Sequence, residues 1–144
     1  MNKLVNSLLL FYCGLVMAET NELATCLESA YTQVERAKCA GVSYESADTE
    51  LNRVYQEIRK TYKTDQHFLE KLKVSQQTWI KFRDAELAMK YPQAAEEYGT
   101  NYSMCASIYL RDLTLQRIET LKLWLRGHEE GDVCHGSVKI GSEN

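Results

Sequence analysis

Apolar residues recur at helical spacing along four stretches of the chain. In the first stretch they are Leu23, Leu27, Ala30 and Val34. Spacings of three and four residues place side chains on one face of an α-helix. Thr32 and Glu35 have the pattern of a capping box, in which each side chain accepts a hydrogen bond from the other residue's backbone N–H. We therefore expect a helix that begins at Thr32, with residues 22–31 as a candidate upstream extension, and that ends or bends at Gly41.

The second and third stretches each begin at a residue that favours a helix N-cap, Ser46 and Asp65 respectively. The second carries an apolar face formed by Ala47, Leu51, Val54, Tyr55, Ile58 and Tyr62. The third carries a stripe formed by Phe68, Leu72, Trp79 and Phe82. We expect Pro92 to end the third helix, because proline has no backbone N–H and restricts the residue before it.

A connector over residues 92–103 precedes the fourth helix, which we expect to run from about Ser103 to Arg126. Its inward-facing residues are Met104, Ile108, Leu115, Ile118, Leu121 and Leu125. Gly127 is a natural residue to follow the last helical turn. Four amphipathic helices with short connections predict an all-α fold, a small antiparallel helical bundle with an irregular C-terminal tail.

The N-terminal segment has the pattern of a cleaved secretory signal. Lys3 supplies a positive charge before an apolar run over residues 8–16, and Val16 and Ala18 occupy the positions of a cleavage site. The apolar run is too short to remain as a membrane anchor. Its Cys13 follows a tyrosine, whereas a lipid-attached cysteine follows a small residue. We therefore expect a periplasmic or secreted protein that meets the membrane only through its transient signal peptide.

This interpretation divides the chain into three parts. They are a signal peptide over 1–18, a helical domain over 19–127 and a tail over 128–144 that is tethered through Cys134. Without the signal peptide the chain keeps four cysteines, Cys26, Cys39, Cys105 and Cys134. An even number of cysteines in an exported chain predicts two disulfides, which would brace the bundle, but three pairings are compatible with the sequence.

Charge and motifs narrow the class of function. The chain has 17 basic and 20 acidic residues, a formal net charge of −3. This balance argues against a protein that neutralises nucleic-acid phosphates. The sequence contains no nucleophile elbow, no zinc-protease motif and no glycine-rich phosphate loop. We therefore expect a protein that is not an enzyme, with no catalytic residues, no cofactor and no nucleic-acid partner.

Two groups of residues resemble ligands or acids of an active site, and in both the simpler interpretation is favoured. His128 and His135 flank acidic residues and could hold a metal, but a polar tail around a disulfide cysteine explains them as well, and we expect no metal site. The pairs Glu96–Glu97 and Glu129–Glu130 are sequence neighbours. Glycosidase acids instead face each other across a cleft.

A third group lies on the predicted third helix. Trp79 and Arg83 are four residues apart and can touch on one helix face. We favour a structural role, in which Trp79 anchors the core, Arg83 stacks on it or pairs internally, and Asp84 makes an ion pair.

The connector after this helix combines tyrosines with acids. It contains Tyr91, Glu96, Glu97, Tyr98 and Tyr102. Tyrosine is enriched where proteins bind proteins, so these five residues are a candidate partner-binding surface. The alternative is that the tyrosines cover the end of the bundle, and the sequence does not decide between the two.

Four blocks of the sequence resemble LprI-type lysozyme-inhibitor domains. The blocks are Cys26 with 32–35 and Cys39, then 47–55, then 72–85, and finally Cys105 with Leu113, Thr114, Arg117, Ile118 and Leu121. The resemblance implies an exported helical domain and, for some members of the family, binding and inhibition of lysozyme. We therefore expect a partner that is lysozyme or another cationic peptidoglycan hydrolase, inhibited by occlusion of its cleft. The alternative is an immunity or envelope-maintenance module with a dedicated protein partner.

The resemblance also implies a disulfide pattern. It pairs Cys26 with Cys39, and because this chain lacks the family's cysteine after Asp84, it leaves Cys105 for Cys134. That second bridge is strained, because about 31 Å of the fourth helix lie between Cys105 and the end of the helix near Arg126. The tail would have to run straight back along the helix for Cys134 to reach Cys105. If the first helix were continuous, Cys39–Cys105 and Cys26–Cys134 would fit instead.

Overall fold

The computed structural model describes residues 22–141, and this part of the chain forms four α-helices without a β-strand. Helix α1 covers residues 22–29. The other elements are α2 (Gln33–Thr61), α3 (Gln66–Lys90), a 3₁₀ helix (Ala95–Asn101) and α4 (Tyr102–Arg126). The predicted all-α class is confirmed. The expected signal peptide lies outside the described residues, and no helix within 22–141 has the length and apolar character needed to span a membrane.

The predicted capping box at the start of α2 is confirmed. The Thr32 hydroxyl accepts from the backbone N–H of Glu35 at 3.2 Å. The Glu35 carboxylate accepts from the backbone N–H groups of Thr32 and Tyr31, at 2.8 Å each. These hydrogen bonds hold the pKa of Glu35 below its usual value. The box fixes a chain break after α1, so the upstream segment is a separate helix and not an extension of α2.

Helix α2 continues through Gly41 and Ser46, so the expected end at Gly41 and the expected start near Ser46 are both wrong. Glycine inside a helix costs only about 1 kcal/mol. Ala40 and Ala47, on either side of this stretch, are both buried. Because most interhelical contacts of α2 are made with α4, burial along that single neighbour outweighs the local preference for a break.

Helices α2 and α4 run side by side in the same direction. At their N-terminal ends the Gln33 amide contacts Met104 at 3.9 Å, and at their C-terminal ends the Tyr62 hydroxyl donates to the carbonyl of Trp124 at 3.1 Å. Helix α3 runs antiparallel to both, since it starts beside Trp124 and later brings Glu86 to the Tyr109 hydroxyl at 3.1 Å. The chain reversal by α3 thus brings the second and fourth helices together.

One end of the bundle is sealed, and we call it the closed end: the rings of Tyr62, Phe68 and Trp124 together with the tail over 127–141. Tyr62 stacks on Phe68 at 4.2 Å between ring centroids, and Phe68 lies 4.9 Å from Trp124. The tail folds back so that the backbone N–H of Lys139 donates to the Tyr62 hydroxyl at 3.1 Å. Gly127 permits this turn, with φ 79° and with Gly141 packed where a Cβ would stand.

One of the two expected disulfides is present. Cys26 and Cys39 form a disulfide with their Cα atoms 5.8 Å apart, which confirms this pair. It also excludes the alternative pairing of Cys39 with Cys105 and Cys26 with Cys134. The expected Cys105–Cys134 bridge is not formed, and both thiols are free. The position of the tail explains this. The hydrogen bond from Lys139 to Tyr62 keeps the tail, and Cys134 with it, at the C-terminal end of α4, whereas Cys105 lies in the first turn of α4.

Candidate functional site

The connector between α3 and α4 forms the opposite end of the bundle, which we call the open end: Tyr91, Glu96, Glu97, Tyr98 and Tyr102. Helix α3 stops at Lys90, directly before Tyr91 and Pro92, as the sequence predicts. A 3₁₀ helix then carries both glutamates in its first turn. The backbone turns at Gly99, where φ is 68°, and enters α4. The connector thus brings all five predicted partner-binding residues to one end of the fold.

The three tyrosines of the open end pack on one another. The Tyr91 ring lies edge-on to Tyr98 at 5.1 Å and to Tyr102 at 5.2 Å, and Tyr98 stacks on Tyr102 at 5.9 Å. The Tyr98 hydroxyl accepts from the backbone N–H of Gln93 at 3.1 Å. All three side chains are half-buried. The cluster therefore covers the bundle end and still leaves part of each ring exposed.

The two glutamates of the open end and the nearby lysine do not pair with each other. Glu96 and Glu97 are exposed and make no hydrogen bond or ion pair within residues 22–141. The nearby Lys90 ammonium instead lies 3.9 Å from the ring centroid of Tyr109 and 5.9 Å from that of Tyr91. The connector thus presents two unneutralised carboxylates beside a tyrosine surface.

Burial raises the pKa of Tyr91, and the neighbouring Cys105, Tyr102 and Tyr98 add to the effect. Burial and a hydrogen bond to Glu86 raise the pKa of Tyr109 in the same way. At neutral pH both rings therefore carry neutral hydroxyls, and the negative charge of this end comes from its glutamates.

The structure places Trp79, Arg83 and Asp84 apart from the connector, along the middle of α3. The Arg83 guanidinium lies 5.5 Å from the Trp79 ring, 2.8 Å from the Asp84 carboxylate and 3.9 Å from the carboxylate of Asp48 on α2. Its side chain is only 14% exposed. The contacts link α3 to α2 and leave Trp79 partly buried against the core.

The tail residues form no metal site of three or more ligands. The rings of His128 and His135 stack at 4.0 Å. Across the described residues, no group of three or more His, Cys, Asp or Glu side chains is arranged to hold a metal ion.

A groove between α3 and α4 near the closed end was not predicted by any pattern in the sequence. Phe68, Leu72 and Trp124 are among its apolar lining, and Lys71 and Arg117 are among its charged lining. We call it the basic groove. Arg117 is 46 positions from Lys71 along the chain, so no local pattern could have joined the two.

Residues 24–121 match the family model described as lysozyme inhibitor LprI. The matched span begins in α1, includes the Cys26–Cys39 bridge and the open end, and stops near the end of α4. A comparison with curated proteins found no match, and a comparison with solved structures also found none.

Proposed function

Because the chain belongs to the LprI lysozyme-inhibitor family, we propose that it binds lysozyme or another cationic peptidoglycan hydrolase and inhibits it by occluding its cleft. The family match over residues 24–121 carries this proposal. The family is named for inhibition of an enzyme and not for catalysis, and its target acts on the cell wall, outside the cytoplasm.

The open end is the surface we propose for the contact. Its three tyrosines supply contact area with little conformational freedom, because each ring already packs on the other two. Its two glutamates are exposed and have no hydrogen-bond or ion-pair partner among the described residues 22–141, so an ion pair with the target would break none of the contacts described there.

Charge favours the encounter with a basic enzyme. The chain has a net charge of −3, and opposite net charges accelerate association at low ionic strength. The Cys26–Cys39 bridge fixes α1 to the N-terminal half of α2. The first residue of α2, Gln33, contacts Met104 of α4 beside the connector. The oxidised protein is therefore the form that we expect to inhibit.

The first test is lysis of a bacterial cell-wall suspension by a basic c-type lysozyme, with and without an equimolar amount of the protein. We expect the oxidised protein to suppress lysis. Unchanged lysis at large excess of a folded, oxidised sample would contradict the proposal. It would favour the alternative of a dedicated partner in the envelope.

The chain offers a matched pair of variants for locating the surface. Glu96→Gln with Glu97→Gln removes two charges at the open end, and Glu129→Gln with Glu130→Gln removes two at the closed end. We expect the first variant to weaken inhibition at least tenfold at low salt and the second, which changes only the net charge, to weaken it less than twofold. Equal effects would assign the contribution to net charge alone and would remove the connector from the proposal.

We also propose that the protein reaches the periplasm or the medium through cleavage of a signal peptide after Ala18. The mass of the exported protein gives the test. A mass that begins at Glu19 supports the proposal, and retention of residues 1–18 in the exported protein contradicts it.

A further inference from the structure

We propose that the basic groove is a second binding site, and that it takes a carboxylate carried on an aromatic or apolar body. The groove lies near the closed end, away from the connector. Binding there would be a second role, separate from the proposed inhibition. Its cavity volume of about 390 Å³ is in the range of small-molecule sites in proteins.

The floor of the groove is apolar and aromatic. Phe68 and Leu72 come from α3, and Leu121 and Trp124 come from α4. The two rings already lie 4.9 Å apart, so the floor is formed before a ligand arrives. An apolar or aromatic group placed there would be removed from water against a preformed surface.

Arg117 supplies the charge that recognises an anion. Its Nε donates to the Gln76 side-chain oxygen at 3.1 Å and its Nη2 donates to the Ser75 hydroxyl at 3.0 Å. Both partners are neutral, and within residues 22–141 no carboxylate lies at ion-pair distance from this guanidinium. Arg83 and Arg111, which are also well buried, each have a carboxylate at 2.8 Å.

The Arg117 guanidinium also lies 5.9 Å from the centroid of the Trp79 ring, but an aromatic face compensates a half-buried charge less than a counter-ion does. The same burial lowers the pKa of Arg117, although arginine remains protonated at neutral pH. A carboxylate would compensate this charge, and guanidinium binds carboxylates with two parallel hydrogen bonds.

The rest of the rim carries one basic and one acidic side chain, so Arg117 leaves the groove with a net positive charge. Lys71 is exposed and has no ion pair in the described part of the chain. The acid of the rim, Asp65, uses one carboxylate oxygen to cap α3 by accepting from the backbone N–H of Phe68 at 2.9 Å. A basic groove on an acidic chain does not suit a cationic hydrolase, so this site and the open end have different partners.

The test uses 3-phenylpropionate, which carries a carboxylate on a phenyl body, and the neutral 3-phenylpropanol as its control. The chain has two tryptophans, so Trp79→Phe leaves Trp124 as a fluorescent reporter inside the groove and keeps an aromatic ring beside Arg117. We expect a saturable change with the acid and at least tenfold weaker binding of the alcohol. Calorimetry on the unsubstituted chain should give the same dissociation constant as the reporter variant.

Substitutions then assign the charge. Arg117→Met keeps an apolar stem and should weaken binding of 3-phenylpropionate at least tenfold. Arg59→Met, on the exposed face of α2, should leave this binding unchanged. If Arg117→Met fails to fold by circular dichroism, Lys71→Gln replaces it, because Lys71 is exposed, and should weaken binding at least twofold. Equal binding of acid and alcohol, or no saturable change in folded protein, would overturn the proposal.

Two sources could supply the carboxylate, a free acid or the C-terminal residue of a peptide. N-acetyl-phenylalanine presents the same groups as a peptide C-terminus. Tighter binding than 3-phenylpropionate would assign a peptide end, and weaker binding would assign a free acid. Because lysis by lysozyme is measured separately, failure here leaves the proposed inhibition untouched, and the reverse also holds.

Discussion

The two ends of the bundle each hold three aromatic rings in contact, but the surroundings differ. At the closed end Tyr62 is 1% exposed and Phe68 is 8% exposed, and the tail is hydrogen-bonded to the Tyr62 hydroxyl. At the open end all three tyrosines are half-buried, and the neighbouring glutamates are exposed. The same type of cluster thus serves as core at one end and as surface at the other.

The hydroxyl groups show the same difference. The Tyr62 hydroxyl donates to one backbone carbonyl and accepts from one backbone N–H, so its polar atom is satisfied inside the fold. At the open end the Tyr98 hydroxyl accepts one backbone N–H, and the hydroxyls of Tyr91 and Tyr102 make no hydrogen bond within residues 22–141. We infer that Tyr62 at the closed end contributes to stability, and that the tyrosines of the open end are available for contact with a protein partner.

The largest effect should come from the closed end. Phe68→Ala removes a buried ring and leaves a cavity, so we expect the free energy of unfolding to fall by about 3–5 kcal/mol. Tyr98→Ala at the open end should cost about 1 kcal/mol, because its ring is already half in water. Urea denaturation followed by circular dichroism gives both values, and equal losses would refute the distinction between the two ends.

The disulfide should rank next. Cys26→Ser with Cys39→Ser opens a bridge of sequence separation 13, and closing a loop of this size stabilises by roughly 3 kcal/mol. We expect the variant to inhibit less at equal concentration, because the bridge braces the half of the bundle next to the connector. Cys134→Ser, an exposed free thiol, is the matched control and should change neither quantity.

A smaller effect should separate the two kinds of tyrosine. Tyr62→Phe removes both hydrogen bonds of the hydroxyl and leaves two backbone groups without their partner, so unfolding should become easier by about 1–2 kcal/mol. The N–H of Lys139 should also exchange faster with deuterium. Tyr102→Phe loses a hydroxyl without a bonded partner in the described structure and should stay within about 0.5 kcal/mol of the parent.

The smallest effect should be a gain. Gly41→Ala adds a methyl group in the interior of α2, where nothing beyond the adjoining residues and backbone of the helix itself lies within 4 Å of the new Cβ. Alanine has less backbone freedom in the unfolded chain, so the free energy of unfolding should rise by about 0.5–1 kcal/mol. A loss of stability in the same denaturation experiment would show that the glycine is needed where it stands.

The sequence predicted the elements whose signals are local. The capping box at Thr32, the N-cap at Asp65 and the stop before Pro92 were all found where the pattern placed them. The helix boundaries predicted at Gly41 and Ser46 were wrong, because burial of Ala40 and Ala47 outweighs the weak local preference for a break. That burial depends on α4, which lies more than fifty residues further along the chain.

The site was predictable in composition but not in geometry. Pattern alone brought the tyrosines and glutamates of the connector together, and the family resemblance supplied the Cys26–Cys39 pair. The basic groove and the fold-back of the tail could not be anticipated, because each joins residues more than forty positions apart. Lys139 and Tyr62, for example, are 77 positions apart, and neither lies in a pattern that names the other.

The parallel pairing of α2 with α4 has a consequence for how the chain folds. The most extensive helix contact joins elements that are not consecutive, with all of α3 between them. Local hairpins therefore form little of the core, and the chain must close a long loop before it buries α2. Such non-local contacts slow folding relative to a bundle whose main contacts join consecutive helices. Stopped-flow refolding should accordingly be slower than its helical content suggests, with the core completed only when the last helix arrives.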